Sequence, residues 1–155
     1  MRKTIAVATI AAAFLAGVVA VAIANRAQVT TPMTIHVVER ATTDKVVDIG
    51  RPGDSTGDVL TFHNELFDAT NTEKVGNDQG ECTRISPVHG TWECRWIAWL
   101  DGMGALTVEG SFNDNHGTTL AITGGTGIFA NARGTMRLGF RDDPAEFDFV
   151  YRVIP

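Results

Sequence analysis

From Thr34 onward the chain keeps to one pattern: apolar and polar residues alternate, and clusters of Gly, Asn and Asp break the alternation. Side chains on a strand point to opposite faces in turn, so a period of two marks a strand with one buried face; a helix needs a period of 3.6. No stretch past residue 33 holds the helical period over three turns. Strands are therefore expected near 34–41, 58–67, 79–86, 92–100, 104–112, 118–124, 133–140 and 145–154. Within them Trp92, Cys94, Trp96, Ala98 and Leu100 share one face, as do Met136, Leu138 and Phe140, and Phe147, Phe149, Tyr151 and Val153. Turn chemistry falls between them, at Arg51-Pro52-Gly53-Asp54, Asp101-Gly102, Asn113 to Gly117 and Arg141 to Pro144.

Eight sequential strands joined by short turns give an all-β domain, either an up-and-down antiparallel barrel or a sandwich. Closure into a barrel removes both exposed edges and leaves an interior that side chains fill or that holds one small ligand. The 155 residues leave room for a single core. The N-terminus reads differently. Arg2 and Lys3 precede an uncharged run from Thr4 to Ala24 that ends in Ala22-Ile23-Ala24, the plan of a secretory signal peptide. The expected organisation is a signal peptide over 1–24, a polar linker over 25–33 and the β domain over 34–155, with the protein secreted. If uncleaved, the same apolar run is long enough to anchor the chain in a membrane.

Thirteen Lys+Arg against 18 Asp+Glu give a net charge of −5, which disfavours a nucleic-acid partner. Both cysteines, Cys82 and Cys94, lie in the exported part, where an oxidising compartment favours their pairing. Placed opposite each other they put a turn at Pro87-Val88-His89-Gly90, which suits a cross-strand disulfide.

Motifs for other chemistries fail on context. Gly125-Thr126-Gly127-Ile128-Phe129-Ala130 follows a strand as a dinucleotide fingerprint would, yet Gly134 interrupts before a helix of the needed length. Its glycines read instead as places where barrel strands bend and approach. His36, His63, His89 and His116 have no paired-ligand spacing, so no metal site is expected, and no nucleophile elbow supports a hydrolase. Glu39, Glu65, Glu93, Glu109 and Glu146 fall mostly opposite the apolar faces and read as a solvated outer wall. Asn64 shares a face with Leu60, Phe62 and Leu66, and His36 lies with Thr34 and Val38. Each is either a satisfied structural group or a ligand contact.

An ordered set of segments resembles the allene oxide cyclase barrel family: Gly57 to Asp68, Lys74-Val75-Gly76, Gly80-Glu81-Cys82-Thr83, Leu120 to Phe129, and Ala132-Arg133-Gly134. The Gly-Gly-Thr-Gly and Ala-Arg-Gly pieces are also similar to plant dirigent proteins. The resemblance covers about 34–155 and implies an eight-stranded antiparallel barrel with an apolar cavity, needing no cofactor; plant members assemble as trimers, which implies a homo-oligomer. The family's cavity Asn and Cys correspond to Asn64 and Cys82, and its Tyr to Phe112. Its first-strand Glu and Asn fall at His36 and Val38, so the family's acid is absent from that position.

The resemblance thus implies a chamber lined by Phe62, Cys82, Trp96 and Phe112, with His36 and Asn64 polarising an oxygen of the ligand. Two functions fit. One is a cofactor-independent cyclase or isomerase that folds a small hydrophobic unsaturated metabolite and steers its cyclisation. The other is a non-catalytic, dirigent-like binder or coupling guide.

Overall fold

The computed structural model describes residues 31–154; the expected signal peptide and the linker up to residue 30 lie outside the described residues. Nine strands follow in order: β1 (Met33–Arg40), β2 (Lys45–Val47), β3 (Val59–Asp68), β4 (Lys74–Ser86), β5 (Thr91–Leu100), β6 (Gly104–Asn113), β7 (Thr118–Gly125), β8 (Arg133–Phe140) and β9 (Glu146–Ile154). Each long strand pairs antiparallel with its sequence neighbour, and β1 pairs with both β9 and β3, so the sheet closes. Among the described residues, no helix is long and apolar enough to cross a membrane.

The closing seam is interrupted. Both β1 and β2 run antiparallel to β3: Arg40 sits opposite Glu65, and Lys45 opposite Thr61. Residues 41–44 therefore stand against 62–64, so one side of the seam carries an extra residue, as in a β-bulge. The two segments β1 and β2 act as one interrupted strand, and the barrel is eight-stranded.

Two strand assignments shift. β4 begins at Lys74 rather than near residue 79, because its glycine- and amide-rich first half is paired on both sides by β3 and β5. On β1 the inward set is Ile35, Val37 and Glu39, which places His36 on the outer surface. A one-residue parity difference exchanges every side chain between core and solvent.

The end of the barrel farthest from residues 41–44 is filled. Leu66, Leu106, Leu120, Ile122, Met136 and Val153 pack there, and a single 3-10 turn, Gly127–Phe129, brings the fully buried Phe129 across it. This turn is what the glycine motif builds. A Cβ on Gly125 would lie 2.6 Å from the carbonyl oxygens of both Ala105 and Phe129, so only glycine admits the plug. Gly80 serves a comparable purpose in the wall. It pairs with Phe62 on one side and Trp96 on the other, and those rings meet edge to face at 6.2 Å. A Cβ on Gly80 would lie 2.4 Å from that of Trp96.

Cys82 and Cys94 face each other across β4 and β5 and form a disulfide with Cα atoms 4.0 Å apart. The bond closes a short loop over the turn at Pro87–Gly90. Replacing both cysteines by Ala should cost roughly 3 kcal/mol of unfolding free energy, the loop-closure contribution for such a length. Urea denaturation of the two proteins would measure it; equal midpoints would show that the cross-link adds nothing to this barrel.

Candidate functional site

The opposite end of the barrel, where β1, β4, β6 and β8 finish, holds a chamber. Its walls are Leu60, Phe62, Trp96, Phe112, Leu138, Phe147 and Phe149, with the Cys82–Cys94 disulfide between them. The aromatic rings pack in a chain: Phe62 on Trp96, Trp96 on Phe149 at 5.8 Å, and Phe112 on Phe147 at 6.5 Å. Phe140 closes the rim against Phe147 at 5.3 Å and stays partly exposed. The cavity between these walls is ≈ 50 Å³, more than the ~10–15 Å³ a single water needs, and a ring-sized ligand would move the rim side chains.

Neighbouring loops are tied down by Arg84. Its guanidinium lies over the Trp92 ring at 3.9 Å and pairs with Asp54 and Asp114, while the Trp92 indole N–H donates to Asp114 at 2.8 Å. The loop 48–58 is further fixed by the buried Asp58 carboxylate, which accepts from the Ile49 and Ser55 backbone N–H groups. The frame around the opening is thus set by charge-assisted hydrogen bonds, the stronger kind.

The polar groups of the chamber are acids. Glu39 and Asp44 line it, and Asp78 lies beside Glu39, fully buried. Asn64 organises them. Its amide nitrogen donates to Glu39 at 2.9 Å and to Asp44 at 2.7 Å, and its oxygen accepts from the backbone N–H and hydroxyl of Thr43. Thr43 Oγ1 in turn accepts from the His63 N–H at 2.7 Å. Side chains thereby replace the ladder where the seam is interrupted, and the bulge turns Asp44 toward the chamber.

No salt bridge reaches Glu39, Asp44 or Asp78 among the described residues. Burial pushes the Glu39 carboxyl up to about 7; Asn64 opposes the rise and the Asp44 charge adds to it. Burial, then the Glu39 charge, raises Asp78 well above the ordinary range, and burial also raises Asp44. Two adjacent buried carboxyls share a proton more readily than both ionise. Tyr151, fully buried and raised by burial and by Asp78, lies next to Trp96. The Asp78 oxygens adjoin the Glu39 carboxyl and the Asn64 backbone, so the buried polar groups here answer one another rather than a cation.

The expected site residues divide accordingly. Phe62, Cys82, Trp96 and Phe112 line the chamber. Asn64 faces inward, and all of its hydrogen-bonding capacity is engaged by Thr43, Glu39 and Asp44. His36 is not in the chamber. It sits on the outer face, where its Nε2 meets Asp148 at 2.8 Å. Cys82 meets the chamber as half of a disulfide, so it offers no thiol. An inward acid stands on β1 at Glu39 instead, and sequence reasoning missed both Glu39 and Asp78. One signal could have found Asp78: it pairs in register with Asn64, so an inward Asn64 implies an inward Asp78.

Asn64→Ala should therefore destabilise the protein by ~2 kcal/mol, since it strands the buried Glu39 carboxyl and frees residues 41–44; thermal or urea melts would check this. The acids also set a pH dependence. Glu39 in the folded protein holds its proton up to about 7, against 4.5 in an unfolded chain. Between those values the folded state binds more protons, so stability falls as pH rises. The loss should be on the order of 3 kcal/mol across the window, and Glu39→Gln should flatten it. Parallel stability curves for the two proteins would contradict the assignment.

The sequence profile of the allene oxide cyclase family matches residues 20–147. Among solved structures, a pyocyanin demethylase is similar at 26% identity with a TM-score of 0.69, over 79% of this chain and 100% of that one. A pterocarpan synthase dirigent protein matches at 21% identity and a TM-score of 0.66, over 79% of this chain and 87% of the other. An exo-specific intermolecular Diels-Alderase matches at 15% and 0.60, over 79% and 98%. The last two likenesses are of fold. With a matching profile over most of its length and a closed barrel around an aromatic chamber, the chain belongs to the allene oxide cyclase family.

Proposed function

We propose that this barrel is a cofactor-independent isomerase or cyclase that holds a small, largely hydrophobic, unsaturated molecule and steers its rearrangement. The observation that carries this reading is the Glu39 carboxyl, raised to about 7 in the wall of an aromatic chamber. A carboxyl in that range gives up or takes a proton near neutral pH, the condition for general acid–base catalysis. The rings supply the rest by holding the ligand in few conformations, which lowers the entropic part of the barrier. In this reading Glu39 takes the role expected of His36, Asn64 positions Glu39, and Asp78 stores the shared proton.

Support also comes from the relatives, which include proteins named for a demethylation and for a cycloaddition. The dirigent likeness favours a second reading, a chamber that only guides the geometry of a ligand. Both use the same walls, and they differ at Glu39.

A thermal-shift screen of the protein against fatty-acid epoxides, polyenes and phenolics should find at least one stabilising class, and turnover of that class should then be followed. Glu39→Gln should retain binding and lose about 10²-fold or more in rate, the usual range for a proton-transfer group. An unchanged rate, or binding with no turnover by either protein, would favour the guide. No shift with any class would remove the ligand site altogether.

A further inference from the structure

Every ionisable side chain that lines the chamber is an acid, and no cation answers it. Glu39 and Asp44 face the space, Asp78 backs Glu39, and none of the three has a salt-bridge partner among the described residues. Asn64 gives each of Glu39 and Asp44 one hydrogen bond and has nothing left to offer. Asp78 is fully enclosed, with the Glu39 carboxyl and the Asn64 backbone beside its oxygens and no cation paired with them. The surrounding walls are the π-faces and edges of Phe62, Trp96, Phe112, Phe147 and Phe149.

Aromatic walls and desolvated carboxyls are the two elements that recognise a weakly hydrated organic cation. A metal ion is a poorer fit, since no group of three or more ligating side chains among the described residues is arranged to hold one.

We infer that the chamber takes a planar unsaturated ring carrying a positive charge, such as a quaternised or protonated nitrogen heterocycle, with its charge set against Glu39, Asp44 and Asp78 and its faces against the aromatic walls. This rests on the reading of the chamber as a ligand site and narrows it to one chemical class. A bound cation supplies the counter-charge that the acids lack, so it favours their ionised forms, and binding releases protons near neutral pH. The groups facing Glu39 are Asp44 from the seam, Asn64 from β3, Asp78 from β4 and Tyr151 from β9; none is cationic.

N-methylpyridinium and toluene have nearly the same shape and differ in charge, and they are the probes that test the inference. Calorimetric titration at about pH 8 should show the cation binding about tenfold or more tightly than toluene, the range of a desolvated cation–π and charge contact. That preference should shrink at about pH 5.5, as Glu39 takes up its proton, and near pH 7 the heat should vary with buffer ionisation enthalpy as protons are released. Glu39→Gln and, should that variant fold poorly, Asp44→Asn should lower the preference while leaving toluene binding in place. Toluene binding as tightly as the cation, or a preference indifferent to pH and to both substitutions, would overturn the charged-ligand inference and leave the apolar chamber standing. Failure of both probes to bind would overturn the ligand site itself.

Discussion

The side chain of Asn64 is where the closure of the barrel and its chemistry become one problem. A sheet closes only if its first and last strands can pair, and here the pairing partner of β3 carries an extra residue between β1 and β2. Backbone groups freed by that residue must find partners or be lost to the fold. Asn64 and Thr43 supply them, and in doing so fix Glu39 and Asp44 on the inner wall. One amide thus completes the seam and orients two acids. Its four engaged hydrogen bonds leave no donor or acceptor free, which is why the proposed function gives it a positioning part.

The rest of the barrel divides its length between stability and space. At one end Phe129, swung in by the Gly127 turn, is fully buried and fills the interior. At the other, larger rings lean on one another and leave a gap. The Cys82–Cys94 bond lies in the wall of the open half, across from Leu60 on β3. A covalent link there holds β4 and β5 together where the core is thinnest, and Arg84, stacked on Trp92, holds the loops at the same end.

Much of this was legible from alternation. The strands β5, β8 and β9 have clear apolar and polar faces, and the inward set Trp92, Cys94, Trp96, Ala98 and Leu100 lies where a period of two puts it. The Gly-Gly-Thr-Gly segment reads as a close approach, and Gly125 makes one against Ala105 and Phe129. The misses share a cause. β1 carries apolar residues at both parities, Ile35 and Val37 against Val38, so its sequence does not define which face is inward. Reading it one residue out exchanges Glu39 for His36. Past Lys74 and Val75, β4 runs through Gly76, Asn77, Asp78, Gln79 and Gly80, residues of poor strand propensity held extended by the ladders on either side. Tertiary pairing decides that strand, and Asp78 goes unseen without it.

That pairing explains why the site stands where local rules fail. A buried acid pair lacking a counter-ion lowers stability, and a core built for stability alone would replace it with leucine or phenylalanine. The same cross-strand row turns apolar on the next strands, where Ala98 and Leu106 follow Asn64 and Asp78. Polar residues are confined to the part of the row next to the chamber, and apolar ones occupy the rest. Proteins depart from consistent packing mainly where function requires it. Here the departure is local, framed by a disulfide and an arginine latch, and it centres on a carboxyl that can exchange a proton near neutral pH. The arrangement places the stability cost and the chemical capability in the same few side chains.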